Sequence, residues 1–326
     1  MTADADPKPA PAVSRQEAIS ILSSDPSAIP SILARAWELR ERRFGMRVHL
    51  CSIVNAKCGA CSEDCAFCAQ SVHHNTGIET HPLLSEPELA AARDAAARIA
   101  IVRFGIVTSG SALTDSEVDV VGRAVEGASA SPVSWCASLG CLSSSQLQRL
   151  KKAGLTRYHH NLETARSFFP KVCTTHSYEQ RLDTIRAARI AGLEVCSGGI
   201  LGMGENPEQR VELAMDLAEY EVDSIPLNFL MPVAGTRFAD VEPIAALDIL
   251  KTIAMFRLVN PRAEISVCAG RAHLRSLQAL IFYAGASGMM AGPLLTLPGG
   301  SADDDLQMIH DLGFVADRGK PAADAR

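Results

Sequence analysis

Cysteines 61, 65 and 68 are spaced x3 and then x2 in the run Lys57-Cys-Gly-Ala-Cys61-Ser-Glu-Asp-Cys65-Ala-Phe-Cys68-Ala-Gln-Ser71. Three thiolates on one short loop can hold three corners of a cubane iron–sulfur cluster, leaving the fourth iron open to a substrate or cofactor. A zinc knuckle would want four ligands, usually as two CxxC pairs. Cys58 lies x2 before Cys61, on the wrong side for that pattern, so the cluster is the favoured reading. Phe67, just before the third cysteine, suits a cofactor ring packed beside the cluster.

The rest of the chain has to position that loop. Its 326 residues are 47% apolar and 21% charged, the balance of a soluble globular protein with room for a large core. A formal net charge of -6 argues against broad binding to nucleic acid or to an anionic membrane surface. The opening Met1-Thr-Ala-Asp-Ala-Asp-Pro has acids where a signal peptide needs bases, which points to the cytoplasm. In that reducing compartment ten cysteines serve metals or catalysis more readily than disulfides. The uncharged run from Ser276 to Ala302 carries Gly285, Gly288 and Gly292, and reads as a short helix, a glycine turn and a buried strand rather than a membrane span.

Residues 1–13 are rich in Ala, Pro and Asp and are expected to be disordered. Ser14 and Glu17 form a capping-box pattern that opens a helical extension over 14–46. Thereafter β-branched apolar runs recur at Arg47–Asn55, Val102–Ser109, Val133–Leu139, Arg157–Glu163, Glu194–Leu201, Asp223–Leu230, Glu264–Ala269 and Gly288–Ala291. Stretches of helical spacing separate them, among them Glu86–Ala100, Ser143–Ala153, Tyr178–Ala191, Pro207–Glu219 and Ile244–Leu258. Eight strands alternating with helices predict an α/β protein, a (β/α)8 TIM-type barrel over 47–315, with a frayed tail over 316–326. An open doubly wound sheet would want a glycine-rich turn after its first strand, where this chain has the cysteine loop. That loop falls at the C-terminal mouth, where barrel enzymes keep their chemistry.

Five strings extend the cysteine motif: Cys61-Ser-Glu-Asp-Cys-Ala-Phe-Cys-Ala-Gln-Ser71, Tyr158-His-His-Asn-Leu-Glu-Thr164, Thr174-Thr-His-Ser-Tyr-Glu-Gln-Arg181, Cys196-Ser-Gly-Gly-Ile-Leu-Gly-Met-Gly-Glu205 and Ser224-Ile-Pro-Leu-Asn228. With them the chain resembles the biotin synthase family of the radical S-adenosylmethionine superfamily, from about Ile19 to Val315. The resemblance implies sulfur insertion into dethiobiotin by a 5′-deoxyadenosyl radical, made when a [4Fe-4S] cluster on Cys61, Cys65 and Cys68 reduces S-adenosylmethionine. It implies a flavodoxin- or ferredoxin-type electron donor and a homodimer. By the same resemblance Asn161 and Glu163 lie near the cofactor ribose, with Glu163 where many relatives have Asp. Arg181 meets the cofactor carboxylate, a pairing its forked geometry suits. Gly199, Ile200 and Gly202 let the adenosyl group approach, and Asn228 bonds the ureido ring. His159, at a contact for substrate or cofactor, stands where the family usually has Asn.

The family's second cluster, the immediate sulfur donor, is usually a [2Fe-2S] centre on three cysteines and an arginine. Cys136 and Cys196 match two of those ligands, but Gly105 and Ser266 stand where the other cysteine and the arginine belong. Alternation along a strand points Cys268 the same way as Ser266, and Cys51 takes a position where relatives have a small polar residue. Cys51, Cys136, Cys196 and Cys268, on strands one, three, five and seven, are expected to form one interior layer. Four thiolates suit a larger cluster than the arginine-capped form. Otherwise Cys51 and Cys268 are small buried apolar side chains. Cys58, Cys141 and Cys173 are read as incidental.

Two alternatives remain. One is a related radical barrel enzyme without sulfur insertion, of the hydrogenase-maturase or methylornithine-synthase type, which the inner cysteines and Asn228 would argue against. The other is an iron–sulfur carrier or zinc module, which leaves Asn161, Glu163 and Arg181 unexplained.

Overall fold

The β-branched runs become parallel strands: β1 (Arg47–Lys57), β2 (Arg103–Thr108), β3 (Ser134–Ser138), β4 (Arg157–His159), β5 (Glu194–Cys196), β6 (Gly199–Leu201), β7 (Ser224–Phe229), β8 (Glu264–Val267) and β9 (Gly288–Met290). The computed structural model describes residues 11–127, 133–292, 295–296 and 300–317. The strands pair in chain order, with β5 and β6 both against β7, and β9 pairs back onto β1 to close the sheet. β5 and β6 are one stave interrupted at Ser197 and Gly198, so eight staves form the expected (β/α)8 barrel. A Cβ at Gly198 would lie 2.0 Å from the Pro226 carbonyl oxygen, a gap only glycine fits. The fourth run leaves the ladder after His159 and turns through Glu163, which holds a left-handed φ of 69°.

Outer helices return the chain from the top of each stave to the bottom of the next. α3 (Glu86–Ala96), α4 (Asp115–Glu126), α5 (Ser144–Lys152), α7 (Tyr178–Ile190) and α8 (Pro207–Glu219) all start on a capping box, from Ser85/Glu88 through Asn206/Gln209. The box satisfies N–H groups that the first helical turn leaves without partners. Between them lies the single turn α6 (Phe169–Val172). α9 (Ala246–Val259) is buried on every side from Ile249 onward. A helix buried all round needs a cover, and the N-terminal extension supplies it, α1 (Arg15–Leu22) and α2 (Ile29–Phe44) both packing on α9. Pro26 breaks the extension in two. The Ser14 cap is half made: Ser14 Oγ accepts from the Glu17 N–H, but the Glu17 carboxylate pairs with Arg35.

Two expectations at the ends need correction. Residues 1–10 and 318–326 lie outside the described residues. Within the segment read as disordered, Ala12 N–H bonds the Leu258 carbonyl at 2.8 Å and Val13 is buried. Within the tail read as frayed, β10 (Val315–Ala316) pairs with Arg47 and Val48 of β1. Phe314 anchors it by edge-on contacts with Trp37 and Tyr283 and a tilted one with Phe282. The uncharged run forms a 3-10 turn ending at Leu277, then α10 (Leu280–Tyr283) and β9, and no helix among the described residues is long and apolar enough to cross a membrane. α11 (Ala302–Asp311) precedes β10.

Candidate active site

β1 delivers the cysteine loop to the C-terminal mouth, and local hydrogen bonds set its shape. Gly59 holds a φ of 75°, and a Cβ there would meet Thr80 Cγ2 at 2.4 Å. Cys61 N–H bonds the Gln70 carbonyl at 3.1 Å, and Cys68 N–H bonds the Cys65 carbonyl at 2.9 Å. Gln70 Oε1 accepts from the Gly59 N–H, and Ser71 Oγ donates to the Glu63 carbonyl at 2.6 Å. The three thiols and Phe67 face one cavity of about 550 Å³ that runs from the mouth down the barrel axis. Burial pushes the Cys68 thiol up to about 11.

The residues expected around the cofactor meet at the rim of the same cavity. Asn161 Oδ1 accepts from the Gly198 N–H at 3.1 Å and its Nδ2 donates to Glu163 at 3.3 Å. Arg181, on α7, donates to the Asn161 carbonyl at 2.9 Å and lies 3.5 Å from the Glu163 carboxylate. Ile200 lines the cavity and its N–H bonds the Glu163 carbonyl at 2.7 Å. Gly199 and Gly202 are set behind it. Gly199 lies against the Glu163 backbone, where a Cβ would be 2.4 Å from the carbonyl oxygen. Gly202 (φ 86°) belongs to a turn whose N–H groups bond the buried Glu205 carboxylate. These two glycines shape backbone rather than the cavity wall.

Asn228 lines the cavity deeper down, its Nδ2 donating to the Gly199 carbonyl at 3.3 Å and its Oδ1 accepting from the Ala269 N–H at 3.1 Å. One N–H and one lone pair of the amide remain for a ligand. His159 faces the cavity, and burial lowers its pKa, which keeps the imidazole neutral.

Strand register sets the height of each inner cysteine. The pairs Cys51↔Arg103, Gly105↔Cys136, Cys136↔Arg157, His159↔Cys196, Cys196↔Ser224, Ser224↔Glu264 and Ser266↔Gly288 run round the barrel. With the shear of about eight residues typical of this fold, constant height means climbing one residue per strand relative to that pairing. Cys51, Cys136, Cys196 and Ser266 then share one layer. Cys268, expected in the layer, stands one inward position above it, because inward positions recur every second residue and Ser266 takes the level place. Its thiol donates to the Ser266 carbonyl at 3.8 Å, and its sulfur lies beside that of Cys51. The fourth sulfur thus reaches the layer from above. Contact with Cys268 pulls the Cys51 thiol down, while burial pushes Cys136 up to about 12 and also raises Cys196.

Several residues at the site were not singled out by sequence. His176 Nε2 accepts from Arg181 Nε at 2.9 Å and its Nδ1 meets Glu63. Cys173, read as incidental, lies beside Cys65 and 3.2 Å from both His176 Nδ1 and Asp64 Oδ1. A hydrogen bond from the Cys65 thiol, with others from His176 and Thr175, pulls it down to about 4. Arg157 and Arg103 line the cavity below the cysteines. The other two read as incidental do not join the layer: Cys58 is buried in a bridge to His81, and Cys141 is exposed, 3.8 Å from His160 Nε2.

A parallel barrel with a x3-x2 cysteine triad at its mouth, facing a carboxylate–amide–guanidinium cradle, defines the radical S-adenosylmethionine class, and residues 57–217 match the Radical SAM superfamily. Residues 226–315 match the Biotin and Thiamin Synthesis associated domain. Solved structures of similar fold include a methylornithine synthase (TM-score 0.80, 18% identity, 95% of each chain covered) and an FeFe-hydrogenase maturase from Carboxydothermus hydrogenoformans (0.80, 19%, 96% of this chain and 78% of that one). Sequence relatives are closer. Biotin synthase of Maridesulfovibrio salexigens is 52% identical over 305 residues, 93% of either chain. That of Trichlorobacter lovleyi is 46% identical over 306 residues (93% and 92%), and that of Geobacter sulfurreducens 47% over 304 (92% of each). The chain belongs to the biotin synthase family.

Proposed function

We propose that this protein inserts sulfur into dethiobiotin to make biotin, with the outer triad and the inner cysteines acting on one bound substrate. The observation that carries the reading is a single cavity lined at its mouth by Cys61, Cys65 and Cys68, in its middle by His159, Cys268 and Asn228, and below by Cys51, Cys136 and Cys196. Both groups of thiols have the soft donors that iron–sulfur clusters need. When bound, an outer [4Fe-4S] cluster supplies the electron that opens the sulfonium–carbon bond of S-adenosylmethionine.

The chain's own residues do the rest. Arg181 offers a guanidinium to the cofactor carboxylate, while Asn161 and Glu163 present an amide and a carboxylate to its ribose hydroxyls. The spare N–H and lone pair of Asn228 match the C=O and N–H of a ureido ring. Neutral His159 adds a polar contact without a charge. The Gly199–Ile200 backbone lets the adenosyl group come close, and the deep barrel keeps a reactive radical from water and stray hydrogen donors. Gly105 adds no side chain above the layer, and the four cysteines suit an auxiliary cluster ligated by sulfur alone. A flavodoxin- or ferredoxin-type donor, a homodimer and a cytoplasmic setting belong to the same reading.

Anaerobic reconstitution with iron and sulfide, followed by dethiobiotin and S-adenosylmethionine, tests it. The expected products are biotin and 5′-deoxyadenosine. 5′-Deoxyadenosine with no biotin would place the chain among the radical barrel enzymes that do not insert sulfur.

A further inference from the structure

The layers below the inner cysteines carry charge in a definite order. One step beneath Cys51, Cys136, Cys196 and Ser266, the same register places Arg103, Arg157, Ser224 and Gly288. One step lower come His49, Ser134, Glu194 and Glu264. Cysteines, arginines and glutamates are thus rooted in successive layers along the axis. The Arg157 side chain is only 5% exposed, and Glu194 (2.9 and 2.8 Å) and Glu264 (2.6 Å) hold it from below. Arg103 shares Glu194 at 2.8 Å. These contacts use three of the five Arg157 N–H groups and leave two uncommitted.

A buried ion-pair set is a poor source of stability, since apolar residues of like volume often serve as well or better. Its place under four thiols suggests another use. We propose that Arg157, assisted by Arg103, forms a cationic floor that raises the reduction potential of an iron–sulfur cluster held by the inner cysteines. This rests on the reading that those cysteines bind a cluster. A thiolate-ligated cluster gains negative charge on reduction, so a nearby cation favours the reduced form. By register the arginines are rooted one layer below the cysteines and the glutamates two, and Coulomb energy falls with distance, so the cations are expected to prevail. Ser266 in the layer and Gly105 just above it contribute no charge of their own.

The test is a redox titration of the fully reconstituted protein, followed by visible absorbance and EPR, with the outer cluster as internal reference. Arg157→Met is expected to shift the inner cluster's reduction equilibrium at least tenfold toward the oxidised form, 59 mV for a one-electron step. Arg157→Lys, which keeps the charge, is expected to stay near the parent. Glu264→Gln removes a carboxylate from the layer below and is expected to move the potential the opposite way. If Arg157→Met does not fold, Arg157→Met with Glu264→Met replaces the ion pair by an apolar pair and is expected to shift the equilibrium the same way by a smaller factor, since the lost carboxylate offsets part of the lost cation. An inner cluster whose potential is unchanged in the Arg157→Met and Glu264→Gln proteins overturns the cationic floor. A parent protein that binds only one cluster refutes instead the inner-cluster reading beneath it, and iron content distinguishes the two failures.

Discussion

His176 joins Glu63 to Arg181: its Nε2 accepts from Arg181 Nε at 2.9 Å, and its Nδ1 faces the Glu63 carboxylate. Accepting at Nε2 places the imidazole proton on Nδ1, which donates to Glu63. The cysteine loop and α7 are tied together through one ring, and the guanidinium is left in a fixed orientation beside Asn161.

His176→Ala should therefore weaken S-adenosylmethionine binding about tenfold, since a hydrogen bond to a charged group is worth roughly 1.5–3 kcal/mol. His176→Gln, which keeps an acceptor, should recover most of the affinity. Calorimetric titration of the reconstituted protein checks both. Equal affinity in all three proteins would mean that the Asn161 carbonyl alone holds Arg181.

At the cluster loop, Cys65→Ala should abolish 5′-deoxyadenosine formation, because two thiolates do not retain a cubane. Cys173→Ser, one side chain away, should keep the cluster: its sulfur is engaged by Asp64, His176 and Thr175 and lies outside the x3-x2 motif. Iron and sulfide content with EPR separates the two variants. Loss of the outer cluster in Cys173→Ser would make Cys173 part of the ligand set.

These two sites also show what the sequence can and cannot reveal. The triad is legible because its three members share one loop, and the staves are legible because β-branched runs alternate with capped helices. Glu63 and His176 are 113 residues apart and meet only when the first and fourth loops converge at the mouth. The clue available was positional: His176 stands just before the Ser177 cap of α7, so it had to lie on the mouth side. Arg157 was closer to hand. Period-two alternation sends Arg157 and His159 to the same face, yet only His159 was singled out, since a buried arginine is not expected without its acids, and those sit on two other staves. The height of Cys268 depends on register, which no single strand encodes.

Asn228→Ala should lower dethiobiotin affinity about tenfold or more, because a ureido group would be left unpaired in the cavity at a cost of about 1–3 kcal/mol. The same change frees the Gly199 carbonyl and the Ala269 N–H, so a small loss of thermal stability should accompany it. Equilibrium binding and a melting curve read the two effects apart. Unchanged affinity with a lowered Tm would leave Asn228 a purely structural tie.

Gly199→Ala tests the close approach of stave five to the Glu163 turn. A Cβ 2.4 Å from the Glu163 carbonyl oxygen and 3.0 Å from Leu213 Cδ2 must push backbone aside. Overpacking of this kind costs about 1–3 kcal/mol. The melting temperature should fall by a few degrees, and S-adenosylmethionine binding should weaken as Glu163 shifts. A protein as stable as the parent would show that the two segments separate freely.

The last prediction concerns the fourth ligand of the inner layer, where Ser266 holds the level position and Cys268 reaches in from above. Iron prefers soft thiolates to a serine hydroxyl. Cys268→Ser and Cys51→Ser should each lower the iron and sulfide bound per chain and abolish biotin formation, while sparing cleavage of S-adenosylmethionine at the outer cluster. Serine keeps the volume and polarity of the site nearly constant, so lost iron reports ligation rather than collapse. Ser266→Ala should leave both clusters in place, as should Cys58→Ser and Cys141→Ser, which lie outside the layer, Cys58 in a backbone bridge to His81 and Cys141 exposed beside His160. Mössbauer spectra of the variants decide the matter. An intact second cluster in Cys268→Ser, with loss in Ser266→Ala, would assign the fourth corner to the serine and leave Cys268 as a neighbour of Cys51 that ligates nothing.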